Sequence, residues 1–345
     1  MPLDLLVPDL LLPTDAPPGL RALRLRALEK WLARADTTRV PGSRCVDWLA
    51  ARYAIGSPVP VAAIALAGEG GTASGAWMRA DPVHLRIDHD YVKLHDASSL
   101  GVTREEATAL VAALQAHFAG DGLEFRALAA DRWYVRAPEG TLPKTTPLEE
   151  ANGRDVFGLL PEETSPRRSP GPNASRAINW RSTLTEAQMM MSTHEVNERR
   201  EALGKPAINS VWFWGEGSLP PNVSRPYALV YANDAFARGL GAVSGAEVRP
   251  PPKGIAEVDL VRPDDSALVA LDALTAPLHR GDEAAWTAAA QGLDAGWFAG
   301  IGDAIARFGE VRLVLPAERD TRVARLDSNA RWRWFRSRKP LAAHA

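Results

Sequence analysis

A chain of 345 residues, 46% hydrophobic and 24% charged, holds one large domain or two ordinary ones and is too apolar for whole-chain disorder. Its net charge of −2 supplies no global attraction to nucleic acid or anionic membrane, and its single cysteine, Cys45, excludes an intrachain disulfide framework and a multi-thiolate metal site. No run reaches the ~20 apolar residues of a membrane span, and the opening MPLDLLVPDLLLP lacks the basic lead of a signal peptide, so a cytoplasmic location is expected.

Residues 1–18 read as extended and proline-rich, with a short strand over 3–7. Residues 19–35 place Leu20, Leu23, Leu28, Trp31 and Leu32 near one helical face, with arginines around the other. A second short helix is expected over 45–53, an apolar segment over 58–66 and a flexible glycine-rich loop over 68–75. The pattern changes at Trp77. Val83, Leu85 and Ile87 alternate with His84 and Arg86 as on a half-buried strand, and 91–94 return beside it. Thr103 to Glu106 open a helix running to Phe118, with Ala107, Leu110, Val111 and Leu114 in its apolar stripe. Residues 122–128 and 133–136 form a hairpin around Asp131. Residues 138–181 make a long loop with a short ordered piece at 152–161.

The stretch 182–218 is the most informative. Thr183 and Glu186 are spaced as a capping box, which predicts one long helix up to Gly204. Gly204 suits the left-handed residue after a last turn, and Pro206 prevents the helix from resuming. Residues 207–214 are apolar, aromatic and β-branched, as in a buried strand, and empty into a Gly215-Glu216-Gly217 loop. A strand over 228–231, a helix over 234–240 and a strand over 268–271 follow. Residues 283–308 are largely helical, interrupted near Gly292 and Gly296, and 311–315 form a last strand. The fold expected is α/β with α+β character, a mixed and mainly antiparallel sheet backed by helices. Its expected divisions are a helical and extended segment (1–75), an α/β domain (76–254) and a C-terminal α/β part (255–345).

Several residues could carry chemistry. His194 and Asn197 share a face on the predicted helix, with Glu198 one turn from His194. They either bind an anion or lock the helix to the next strand through Asn209. Gly215 and Gly217 could admit a phosphate to backbone amides or form an ordinary turn. The spacing is neither a Walker loop nor a dinucleotide fingerprint. His84 and His89, near Asp88, Asp90 and His95, invite a metal reading, but five residues along a strand point to opposite faces and a solvated hairpin is favoured. The tail RWRWFRSRKP interleaves cations and aromatics. It could stack on bases, but an edge strand with Trp332 and Trp334 packed on the core is favoured. No Ser-His-Asp spacing and no Gly-x-Ser-x-Gly elbow occurs.

His194, Asn197, Arg200, Gly204, Pro206, Asn209, Gly215 and Gly217 resemble, without a gap, the HPVN-R-G-P-AN-G-x-G run of archaeal-type cofactor-independent phosphoglycerate mutases. Arg79-Ala80-Asp81 resembles the Arg-x-Asn start of another mutase strand, and Asp131-Arg132 a His-Arg pair before a third. The resemblance spans about 77–254. Taken whole, with LDALTAPLHRGD and the RWRWF end, the chain looks like the RpfE-type regulatory proteins of bacteria. The mutases hold two metal ions with Asp and His beside a Ser or Thr that carries the phosphoryl group. Their Asp-Gly-Asp opening and late Asp-x-x-x-His are missing here, and Trp214 replaces the arginine before Gly-x-Gly. The resemblance therefore implies the mutase insert domain without its catalytic core. It points to a non-catalytic regulatory or ligand-sensing protein with neither cofactor nor metal. Its partner would be a small phosphorylated or carboxylate metabolite, or a protein, held by Arg79, Asp81, Arg132, His194, Asn197, Arg200, Asn209, Gly215 and Gly217. Mutase activity is the enzyme alternative; nucleic-acid binding through the tail comes third and is not expected.

Overall fold

Residues 2–13, 16–42, 44–88, 91–161, 178–259 and 266–344 are described by the computed structural model. Among them the strands are β1 (Pro2–Leu6), β2 (Asp36–Pro41), β3 (Ala76–Asp88), β4 (Tyr91–His95), β5 (Glu124–Ala127), β6 (Trp133–Ala137) and β7 (Ser210–Gly217). These are followed by β8 (Leu229–Tyr231), β9 (Glu247–Arg249), β10 (Ala267–Ala270), β11 (Glu310–Pro316) and β12 (Asp320–Asp327). They form two sheets in two compact units, Met1–Gly56 with Asn222–Ala345, and Ser57–Pro221.

The first unit holds a sheet ordered β2-β12-β11-β1-β10-β8-β9. Strands β9, β8, β10, β1 and β11 run parallel, and β12 and β2 extend the sheet antiparallel. Alternation along β1 sends Leu3 and Leu5 into a core with Val269, Leu313, Trp286 and Phe298. Asp4 is buried too, accepting from the Tyr227 hydroxyl at 2.5 Å with the Arg312 guanidinium 3.1 Å away. Because β1 pairs with β10 and β11 on either side, the first residues are no separate segment. Parallel neighbours are necessarily distant in sequence, and the expected 1–75 division gives way to one in which residues 1–56 belong with the C-terminal part.

The second unit holds an antiparallel sheet, β4-β3-β6-β5, with β7 also on β3. The helices Arg104–Phe118 and Trp180–Ser192 cover one face and bury Met78, Ala80, Val135, Val211 and Phe213. The expected helix start at Thr103 is present, and a capping box between Thr103 and Glu106 fixes it. The apolar segment near 58–66 is a buried helix, Val61–Gly68, packed on the opposite side of β3 and β7.

Other expectations are corrected. Residues 19–35 form two helices, Pro18–Arg21 and Arg26–Arg34, and the break buries both Leu20 and Leu25. The long helix of 182–204 is also two, Trp180–Ser192 and Glu195–Ala202. Asn179 caps the first in place of Thr183, whose hydroxyl instead bonds the Asn179 carbonyl at 3.0 Å. At the junction the Ser192 hydroxyl turns back onto the Met189 carbonyl, and His194 starts the second helix. Gly204 is left-handed (φ 66°) and the Lys205 amide reaches the Arg200 carbonyl at 2.9 Å, as expected of the stop. Residues 215–217 continue β7 and are no loop. Strands β2 and β12 were not expected. Their sequences are charged, and the β12 arginines face acids such as Glu310, 2.5 Å from Arg325. The tail is not an edge strand: a short 3-10 turn, Ser328–Trp332, leads into irregular chain with Trp332 and Trp334 exposed.

Candidate functional site

Arg79 and Asp81 lie two apart on β3 and so share a face. Their side chains form a buried ion pair, with the Arg79 Nε and Nη2 donating to Asp81 Oδ1 at 3.0 and 2.7 Å. The guanidinium also lies against the Tyr134 and Trp214 rings, 5.1 and 5.4 Å from their centroids. The Trp214 indole donates to Asp81 Oδ2 at 2.7 Å and the Trp133 amide to Oδ1 at 3.4 Å. Burial works against the Arg79 cation, but Asp81, Tyr134 and Glu69 hold its pKa above the ordinary arginine value. Burial raises Asp81, and Arg79, Trp214 and the Trp133 amide oppose that rise.

The rim of this cluster is built from Glu69 and Arg132. Glu69 follows the helix Val61–Gly68 and accepts from the Tyr134 hydroxyl and from Arg132 Nε, the latter at 2.8 Å. Burial pushes the Tyr134 phenol well up, so it is a neutral donor. Arg132 also meets Asp131 at 3.3 Å, and its side chain keeps 37% exposure. Burial lowers its pKa less than Glu69 and Asp131 raise it. Arg79, Asp81 and Arg132, singled out in the sequence, therefore come together. Glu69 and Tyr134 were missed. Glu69 falls where the sequence reads as a flexible loop, and the Arg-x-Asp spacing on a strand was the available signal.

His194, Asn197, Arg200 and Asn209 do other work, and among the described residues none bonds to the Arg79 cluster. His194 Nδ1 accepts from the Val196 amide as a helix cap. The Asn197 amide donates to the carbonyls of Met191 (2.7 Å) and Ile208 (2.9 Å), and its oxygen accepts from the Ile208 amide at 2.8 Å. Arg200 is 1% exposed and gives its donors to Pro206 O, Glu106 and Leu100 O at 2.7, 2.8 and 2.5 Å. Asn209 pairs with both the amide and the carbonyl of Leu85. Asn197 and Arg200 join the helix Glu195–Ala202 to its neighbours, and Asn209 ties the chain before β7 to β3.

Gly215 and Gly217 have φ of 68° and 146°. A Cβ at Gly215 would lie 2.9 Å from Val61 Cβ, and one at Gly217 2.6 Å from Pro60 Cβ. Both glycines let the helix Val61–Gly68 approach the strand. Glu216 accepts from the Thr145 amide and hydroxyl.

His84 stands opposite His95 across β3 and β4, ring centroids 6.2 Å apart, with His84 Nδ1 2.8 Å from the Ala207 carbonyl. His89 and Asp90 lie outside the described residues. Among the described residues no three His, Cys, Asp or Glu side chains are grouped to hold a metal ion, and no helix is long and apolar enough to cross a membrane.

One arrangement in the first unit had no clear sequence signal. Asp9 follows β1 and Thr275 follows β10, so adjacent parallel strands bring them to the carboxyl edge of the sheet, where α/β sheets bind ligands. The Thr275 hydroxyl donates to Asp9 Oδ2 at 2.6 Å. Asp9 is left-handed (φ 60°), which aspartate tolerates.

No family model matches the chain. It is 25% identical over 187 residues to the 2,3-bisphosphoglycerate-independent phosphoglycerate mutase of Methanosarcina barkeri, covering 50% of this chain and 44% of that protein. It is 26% identical over 196 residues to a probable enzyme of the same name from Geobacter sulfurreducens, covering 55% and 46%. The chain thus spans less than half the length of these curated relatives. In fold it is similar to the PH0037 protein from Pyrococcus horikoshii, with a TM-score of 0.57, 13% identity, and coverage of 99% of this chain and 92% of that one.

Proposed function

We propose that this chain is a non-catalytic regulatory or ligand-sensing relative of the cofactor-independent phosphoglycerate mutases, and that Arg132 is where it meets a small phosphorylated or carboxylate metabolite. One observation carries the reading. At three positions where the sequence departs from the mutase pattern, the new side chain is turned onto an arginine the pattern shares. Asp81, in place of Asn, pairs with Arg79. Trp214, in place of Arg, stacks on Arg79 and donates to Asp81. Asp131, in place of His, meets Arg132. A guanidinium that would grip a substrate phosphate is thereby neutralised from within. Arg79 is closed by this arrangement. Arg132 differs, because Asp131 is 55% exposed and such solvated pairs contribute little. A phosphate dianion can displace Asp131 there while Glu69 stays on Tyr134 and on Arg132 Nε.

Titration calorimetry with 3-phosphoglycerate and inorganic phosphate tests this. Binding that falls at least tenfold in Arg132→Ala, and persists in Arg199→Ala on an exposed helix face, is the expected outcome. Heats that are absent, or identical in the two variants, rule out Arg132 as the contact.

A second reading, mutase activity, is favoured by the Asp9–Thr275 pair. It sets a hydroxyl beside a carboxylate at the carboxyl edge of a parallel sheet.

A further inference from the structure

The tail inverts the usual arrangement of a basic, aromatic segment. Two of its guanidiniums point inward: Arg333 donates to the Arg34 carbonyl at 3.1 Å and pairs with Asp36 at 2.7 Å, and Arg336 donates to the Ala35 carbonyl at 3.0 Å. These contacts dock the segment at the end of the helix Arg26–Arg34. Its rings are left in solvent, with Trp332, Trp334 and Phe335 exposed by 71%, 73% and 71%. Trp334 and Phe335 stand edge to face, 6.5 Å between centroids.

The charge around these rings is not balanced. Among the described residues Asp36 is the one carboxylate paired with 331–339, and it is taken by Arg333 and Arg336. Among the described residues Arg331, Arg338 and Lys339 have no carboxylate partner. Lys30 and Arg34 lie over the Trp31 ring, 4.5 and 5.5 Å from its centroid. Burial, then Arg34 and Arg338, lower the Lys30 pKa, so these cations are near enough to repel one another. A net charge of −2 for the whole chain conceals this local excess.

We infer that the segment 331–339 and the adjoining face of the helix Arg26–Arg34 form a binding surface for single-stranded nucleic acid. Unpaired cations meet phosphates, and Trp332, Trp334 and Phe335 supply stacking platforms for bases. Sequence-tolerant single-strand binding needs that combination. A lipid surface fits less well, because 331–339 contains no aliphatic residue and forms no helix with a continuous apolar face. The inference is independent of the Arg132 reading, since it uses neither the same residues nor the same unit.

The test is fluorescence anisotropy of the full chain with labelled oligothymidylate, alongside the matching duplex and vesicles containing phosphatidylserine. Binding of the single strand that weakens with salt is expected. Replacing Trp332, Trp334 and Phe335 together by alanine should weaken it at least tenfold without moving the melting temperature, because the rings are in solvent. Replacing Arg331, Arg338 and Lys339 should flatten the log–log salt dependence by roughly 2, at about 0.7 per phosphate contact. The inference is overturned by no binding at low salt, by unchanged affinity in the aromatic variant, by a preference for the duplex, or by binding to vesicles alone.

Discussion

Replacing Asp81 with alanine destabilises the second unit by about 3–5 kcal/mol, the range for removing one partner of a buried ion pair. The Arg79 guanidinium then stays between Tyr134 and Trp214 with no counter-charge, and the Trp214 indole and the Trp133 amide lose their acceptor. The double change Arg79→Met with Asp81→Leu costs less than Asp81→Ala alone, because it leaves unpaired donors but no unpaired charge. Urea unfolding followed by tryptophan fluorescence measures both. A single variant within about 1 kcal/mol of the parent would mean that water reaches the Arg79 side chain, below the cost of an uncompensated buried charge.

Arg200→Ala has an effect of similar size, about 3–5 kcal/mol, and it addresses the motif that most resembles the mutases. Its three contacts reach Pro206, Glu106 and Leu100, tying the helix Glu195–Ala202 to the helix Arg104–Phe118 and to the chain before it. Removing the side chain strands two carbonyls and a carboxylate and leaves a cavity. Arg200→Lys restores only part of the loss, since an ammonium cannot present the same planar fork. Loss of stability with no ligand present is what a structural role requires. A normally stable Arg200→Ala protein that fails to bind phosphate would make Arg200 a ligand contact instead.

Much of the second unit was legible because its signals are local. The helix start at Thr103, the Arg104–Phe118 stripe, the hairpin around Asp131 and the stop at Gly204 each depend on a few adjacent residues. What sequence could not show was which distant strands pair. β1 reads as a lone apolar run, and only its partners β10 and β11 make it central. β2 is exposed throughout and carries no burial pattern to detect. The break at Thr193 went unseen because helix-forming residues lie on both sides of it, while the Ser192 hydroxyl and the His194 cap decide the outcome.

The candidate site was legible in a similar way. Arg79, Asp81 and Arg132 were found from motif positions, yet motif position does not reveal what a side chain faces. Asn197, Arg200 and Asn209 occupy shared positions and spend their hydrogen bonds on the backbone of this chain, except for the Arg200–Glu106 pair. Trp214 registered as a lost arginine. In the structure it is the residue that closes the Arg79–Asp81 pair. Glu69 and Thr275 were invisible for a simpler reason: each acquires its partner only when elements far apart in sequence meet.

The most direct measurement is a coupled phosphoglycerate mutase assay on the full chain with manganese, using protein prepared from a host lacking its own mutase. A retained frame whose arginines are countered by its own carboxylates predicts 2-phosphoglycerate formation no faster than the protein-free control. Sustained turnover that disappears in Thr275→Ala would make this chain a working enzyme and contradict the account.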